Sequence, residues 1–260
     1  GGTSTAMASG RLTSDGAALE NVKILFSQRP KLRGGRHFGS RVVFAPDGNV
    51  FLTTGDRGAR HNAQKLSGHI GKVIRLTPEG GIPADNPFIG KPGALPEIWS
   101  YGHRNIQGAA IHPESGRLWT IEHGPRGGDE INIPAAGVNH GWPVVTHGIE
   151  YSGGTIGDGL KTKPGMADPI HIWTPVIAPG GMTFYSGNLF PAWKGNLLIG
   201  GLRAGALVRL ELEGDRVVRE ERLLRQIGDR IRDVAVGPDG AVYAITDSGD
   251  GKILRITPAQ

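Results

Sequence analysis

The amino-acid sequence predicts an all-β fold, a β-propeller, on three observations. Forty-three glycines and 18 prolines among 260 residues punctuate the chain too often for a helical bundle or a coiled coil. A two-strand unit with a Pro-centred turn recurs along the chain, and a third-strand motif recurs with it. A four-stranded module of roughly 40 to 70 residues, repeated radially, is the pattern of propeller blades.

The elements follow in order. The first 30 residues supply only strand-like pieces, Thr3 to Ser9 and Val22 to Phe26. The first full unit runs Arg41-Val-Val-Phe-Ala-Pro-Asp-Gly48 into Val50-Phe-Leu-Thr-Thr54, two β-rich runs around a turn, which reads as a hairpin. Ala109-Ala-Ile-His-Pro-Glu-Ser-Gly116 with Leu118-Trp-Thr-Ile121 repeats it, as does Asp233-Val-Ala-Val-Gly-Pro-Asp-Gly240 with Val242-Tyr-Ala-Ile-Thr246. The second spacing between these turns is close to twice the first. A divergent copy fills the gap: Met182-Thr-Phe-Tyr185, a turn through Phe190 to Trp193, then Asn196-Leu-Leu-Ile199. Third strands recur as Gly71-Lys-Val-Ile-Arg-Leu-Thr-Pro78 and Gly251-Lys-Ile-Leu-Arg-Ile-Thr-Pro258, with Ala206 to Leu212 a looser match. The modules therefore begin near residues 41, 108, 182 and 233. A closed ring needs at least one more blade ahead of Gly1, so the expectation is one propeller domain, residues 1–260, lacking its N-terminal blade. Long Gly- and Pro-rich connections such as Pro134 to Gly154 are where ligand-binding loops are expected.

Composition narrows the function. Hydrophobic residues are 38% and charged residues 20%, which excludes a disordered polyelectrolyte. The longest charge-free stretches, Ile131 to Ile149 and Thr174 to Trp193, are broken by Pro and Gly, so no membrane-spanning helix is expected. With no cysteine, disulfides, zinc–thiolate sites and cysteine nucleophiles are excluded. The net charge of +5 is scattered rather than striped, so nucleic acid is not an expected partner.

Three places can carry chemistry. His37 stands just ahead of a strand, and Asp56 closes the partner strand of the same hairpin. Hairpin geometry can return Asp56 to His37, where a carboxylate would orient the imidazole as a general base. A surface histidine beside an unrelated turn aspartate is the other reading of that pair taken alone. The segment Glu122-His-Gly-Pro-Arg-Gly-Gly-Asp-Glu130 offers three acids and bare carbonyls at Gly124 and Pro125. Hard oxygen ligands on a Gly-rich loop suit Ca²⁺, without the spacing of an EF-hand, while Asp129 is equally read as a turn cap. Arg104 with Asn105, and Arg203, Arg230 and Arg232 in later modules, can together line one anion-binding pocket; singly, each reads as a solvated loop residue. Trp99, Trp119, Trp142, Trp173 and Trp193 are expected to pack between blades. Nucleotide-binding Gly-rich motifs, a nucleophile elbow and His-Glu-x-x-His are all absent.

At Ile98-Trp-Ser-Tyr-Gly-His-Arg-Asn105, the Glu122 to Asn132 segment and Asn139-His-Gly-Trp-Pro143, the sequence resembles the soluble PQQ-dependent aldose sugar dehydrogenases, the glucose/sorbosone dehydrogenase family. The resemblance runs from Gly2 to Pro258 and includes His37 to Arg41, Ile82 to Phe88, Gly181 to Tyr185 and Arg230 to Asp233. It implies a six-bladed propeller that binds pyrroloquinoline quinone (PQQ) and Ca²⁺ and oxidises the C1 hydroxyl of aldoses to the lactone, with hydride passing to PQQ. It also implies an external electron acceptor, a periplasmic or secreted location, and a monomer or homodimer. Matched motif to motif, His37 looks like the family's catalytic base and Asp56 its partner. Arg104, Asn105, Arg203, Arg230 and Arg232 fall at cofactor contacts, and Asp129 is grouped with them. Gly124 and Pro125 fall where carbonyls hold the catalytic calcium, and Glu130 with His140 at a second calcium. Ile106 stands where the family often has proline, His140 where it has tyrosine and Arg203 where lysine is frequent. A contact through the backbone at 140 and a retained charge at 203 make the last two tolerable. A Ca²⁺-dependent propeller lactonase and a propeller that only binds a sugar or protein partner are the competing readings; acids crowded on one loop and arginines on the other blades favour an anionic cofactor.

Overall fold

The computed structural model describes residues 1–259, and among them regular structure is strand apart from short 3₁₀ turns. Strands β1 (Ala6–Leu12) and β2 (Leu19–Ser27) pair as a two-stranded sheet. Three four-stranded antiparallel sheets follow, each a simple meander. The first holds β3 (Gly39–Phe44), β4 (Val50–Thr54), β5 (Lys72–Leu76) and β6 (Ile98–Tyr101). The second holds β7 (Ile106–Ile111), β8 (Leu118–Glu122), β9 (Asp129–Asn132) and β10 (His171–Trp173). The third holds β11 (Pro179–Phe184), β12 (Leu197–Gly201), β13 (Ala206–Glu213) and β14 (Arg216–Leu223). Strands β15 (Ile231–Val236), β16 (Val242–Thr246) and β17 (Ile253–Ile256) make a three-stranded sheet. The four expected modules thus open within three residues of their predicted positions.

The sheets are arranged as blades. The opening strands β3, β7, β11 and β15 lie beside one another, as inner strands around a common axis do. Arg41 on β3 reaches across to Asp233 on β15 at 2.8 Å and also donates to the carbonyl of Gln107 on β7. Middle strands are covered on both faces, so β4, β5, β8 and β12 are buried along their whole length. Trp119, Ile121 and Ile131 of the second full sheet pack with Met182, Phe184 and Ile199 of the third, and Tyr185, Leu198 and Leu207 with Val234 and Val242 of the last. Met7 and Phe26 pack on Val50, Leu52 and Ile74, which seats the β1–β2 pair on the first full sheet. The outer strand β14 is charged and exposed, which discourages edge pairing. No helix of the described residues is long and apolar enough to cross a membrane.

Candidate functional site

The site is assembled from the loops at one end of the inner strands. His37 precedes β3 with a left-handed backbone (φ 53°), an uncommon conformation for a residue with a Cβ. A register shift between Gly39 and Val42 bends the start of β3, as β-bulges beside functional loops do. Gly55 must be glycine, because a Cβ there would lie 2.0 Å from the His37 carbonyl oxygen. The loop is thereby pressed onto the end of β4, and Asp56 Oδ1 sits 2.6 Å from His37 Nδ1.

Asp56 is 1% exposed. Burial alone would raise its pKa, but hydrogen bonds from His37, the Gly58 N–H (2.7 Å) and the Trp142 indole N–H (2.9 Å) outweigh it and hold the carboxyl below its usual range. The carboxylate is ionised, so Nδ1 carries a proton and donates, while Nε2 of His37 has no hydrogen-bond partner among the described residues.

His37, Asp56, Arg60, Arg104, Trp142 and Glu150 line a cavity of about 320 Å³. It shares Pro125 and Tyr151 with a larger cavity of about 750 Å³, whose wall includes His123, Gly124, Asp129 and Arg203. The β8–β9 loop forms the wall between them. Asp129 holds that loop by accepting from the N–H groups of Gly124 (2.9 Å) and Ala178 (2.7 Å). Its burial nonetheless pushes its pKa up to about 6. Asp129 is thus both the turn anchor and part of the cavity wall. The carbonyls of Gly124 and Pro125 accept no hydrogen bond from the described residues, so both are free to ligate a hard cation at the cavity edge. Among the described residues no three acidic or histidine side chains cluster as a metal site, and such a cation would depend on these carbonyls.

Arg104 is fixed from behind. Its backbone N–H and that of Asn105 donate to Glu122 at 2.5 and 3.1 Å, and Nη1 donates to the His123 carbonyl at 2.9 Å. Its buried Nε has no partner, which suits an anionic guest. The arginines are divided between two adjoining cavities and an ion-paired group, with Arg232 and Arg104 both near enough to His123 to help lower its pKa. Arg203 lines the larger cavity and Arg104 the smaller, while Arg230 and Arg232 both turn to Asp247, at 3.1 and 2.8 Å. Asn105 is buried, its amide oxygen accepting from Gln107.

Glu130 lines a narrow cleft with Glu122. Burial, reinforced by the Glu122 charge, pushes its pKa up to about 8. Asn132 donates to both carboxylates and keeps a buried Oδ1 without a partner, a donor set a cation would complete. The His140 ring stacks on His103 with centroids 4.6 Å apart, neither of its nitrogens has a partner, and burial with the neighbouring His103 drives its pKa well down.

Four lining residues were not singled out from the sequence. His123 donates from Nε2 to the Pro179 carbonyl (2.7 Å), and burial holds its pKa at about 4, so it is neutral. Arg60 and Glu150 form an ion pair of 2.5 Å across the mouth of the smaller cavity, beside Tyr151. Trp142, expected between blades, instead lies on the cavity wall and bonds Asp56. Its Asn-His-Gly-Trp-Pro setting was the available signal.

A family model described as Glucose / Sorbosone dehydrogenase matches residues 1–255. The chain is 45% identical to Aldose sugar dehydrogenase YliI of Escherichia coli (strain K12) over 99% of its own length and 70% of that protein's. Among solved structures, one titled as a glucose dehydrogenase superposes with a TM-score of 0.96 at 50% identity, covering 98% of this chain and 74% of that one. A PQQ-bound aldose sugar dehydrogenase from Streptomyces coelicolor superposes at 0.74 with 29% identity, covering 92% and 67%.

Proposed function

The chain belongs to the glucose/sorbosone dehydrogenase family, and on that premise we propose that it oxidises the C1 hydroxyl of an aldose to the lactone as a PQQ- and Ca²⁺-dependent quinoprotein. The observation that carries this reading is the 2.6 Å His37–Asp56 pair in the wall of a cavity that adjoins a larger one bearing an arginine and two free carbonyls.

PQQ, when bound, supplies the acceptor for the C1 hydride, and Ca²⁺ supplies the positive charge that polarises it. Arg104 and Arg203 would hold the carboxylates of the cofactor, and Gly124 and Pro125 the cation. Arg230 and Arg232 would contribute by exchanging Asp247 for a carboxylate of the cofactor, with Asn105 and Asp129 shaping the loops around them. Glu130, with the backbone at His140, would hold a second calcium. Asp56 keeps the proton of His37 on Nδ1, so Nε2 takes the proton of the C1 hydroxyl as the C–H electrons leave. The Arg60–Glu150 pair and Tyr151 wall the sugar from bulk water. An external electron acceptor and a periplasmic or secreted location accompany this reading through the family.

Sugar-dependent dye reduction tests it, comparing metal-free protein, protein with Ca²⁺, and protein with Ca²⁺ and PQQ. Activity confined to the last preparation supports the reading; equal activity in all three, or binding of PQQ with no turnover on any aldose, removes it.

A further inference from the structure

Trp142 is joined to the His37–Asp56 pair although it comes from a different blade and lies 86 residues beyond Asp56. It stands on residues 133–170, the connection between β9 and β10, and its indole N–H meets Asp56 Oδ2 at 2.9 Å. Asp56 Oδ1 is taken by His37 and by the Gly58 N–H. The two oxygens therefore have separate partners, and the indole fixes the carboxylate about the axis that aims Oδ1 at the imidazole.

The indole is itself held firmly. The backbone N–H of Trp142 donates to the Gly102 carbonyl at 2.9 Å, and its backbone carbonyl accepts from Gln64 Nε2 at 2.8 Å. Gln64 is locked in turn by a reciprocal amide pair with Asn139, at 3.0 and 2.8 Å. Trp142 is 7% exposed, and the Arg60 and Arg104 guanidinium groups lie over its ring at 5.8 and 5.3 Å, a cation–π arrangement that resists rotation of the ring. A buried indole N–H needs a partner, and here that partner is the carboxylate that holds the candidate base.

We propose that Trp142 is a positioning residue: through Asp56 it sets the orientation of the His37 imidazole, and the Gln64–Asn139 amide pair sets the register of Trp142. This rests on the role of His37 given above.

Two readouts test it. In metal-free protein, which needs no cofactor, the Trp142 indole N–H resonance and the His37 Nδ1–H resonance are followed in ¹H–¹⁵N spectra. Asp56→Asn should move the indole signal, and Trp142→Phe should move or broaden the His37 signal while leaving distant backbone amides in place. In reconstituted protein, Trp142→Phe should lower kcat roughly tenfold, with KM for the sugar changed by much less. In an Asp56→Asn background the same substitution should have little further effect, because a residue acting through Asp56 loses its route. An unmoved His37 signal in Trp142→Phe, or a full independent loss in the Asp56→Asn background, overturns the proposal. If Trp142→Phe does not fold, the Asp56→Asn spectrum alone decides, an unshifted indole signal being the contrary result. Absence of turnover in the unsubstituted protein counts against the sugar-oxidising reading, and the spectra still decide the Trp142 linkage.

Discussion

The carboxylate of Asp56 and the imidazole of His37, 19 residues apart in the chain, share a 2.6 Å hydrogen bond at the one point where a left-handed histidine is pressed against a glycine that has no room for a side chain. That geometry commits the Nδ1 proton to Asp56 and leaves Nε2 to the cavity.

Replacing His37 by Ala should lower kcat by about two to four orders of magnitude, the range lost with a general base, and leave PQQ affinity unchanged. Asp56→Asn should cost less, because the imidazole remains while its tautomer and orientation are no longer enforced. Steady-state kinetics paired with a PQQ binding titration measure both.

Arg104 and Arg230 should differ toward the cofactor. The Arg104 Nε is buried without a partner, whereas Arg230 shares Asp247 with Arg232. Arg104→Met should weaken PQQ binding at least about tenfold, as loss of a charge-assisted contact does, and Arg230→Met by less. Calorimetric titration of PQQ into each variant ranks them.

Glu130 makes the metal-free protein pH-sensitive. Its folded pKa is raised to about 8 from an ordinary 4.5, so between those values the folded state holds a proton that the unfolded state has released. Stability from this group is therefore highest at low pH and falls as pH rises toward 8. Asp129, raised to about 6, adds the same trend at lower pH. Glu130→Gln should flatten the decline in thermal midpoint between pH 5 and 8, measured in chelator. Calcium should raise the midpoint of the unsubstituted protein at pH 8 and do so less in the variant.

Much of the fold was legible because its signals are local. Turns such as Ala45 to Gly48 close with their own hydrogen bonds, so a Pro-Asp-Gly run between β-branched residues identifies β3–β4 and β15–β16 by itself. His37 and Asp56 were legible for the same reason, one hairpin carrying both. Trp142, Gln64 and the Arg60–Glu150 pair were not, because residues 133–170 carry no strand period and their partners lie in another blade. The turn of Arg230 and Arg232 toward Asp247 was equally hidden: strand alternation places two arginines on one side without naming the carboxylate they meet.

Lys72 was hidden as well. It is wholly buried, and its ammonium donates to the carbonyls of Asn62, Ala63 and Ile70 at 3.1, 2.9 and 2.5 Å. Burial pushes its pKa down to about 7, against which the three carbonyls act. It thereby anchors the 3₁₀ turn Arg60–Gln64 that carries Arg60 and Gln64 to the site. Lys72→Met should destabilise the protein by about 3 kcal/mol, the cost of leaving buried carbonyls unpaired, read from the urea midpoint.

Oxidation at C1 of an aldose with PQQ and Ca²⁺ is tested most directly by product analysis: the reconstituted protein is given a ¹³C1-labelled aldose and a dye, and the carbon is followed by NMR. A lactone carbonyl should appear at C1, formed in step with dye reduction and only when PQQ and Ca²⁺ are both present. Dye reduction without a lactone, or a lactone formed in the absence of PQQ, would contradict it.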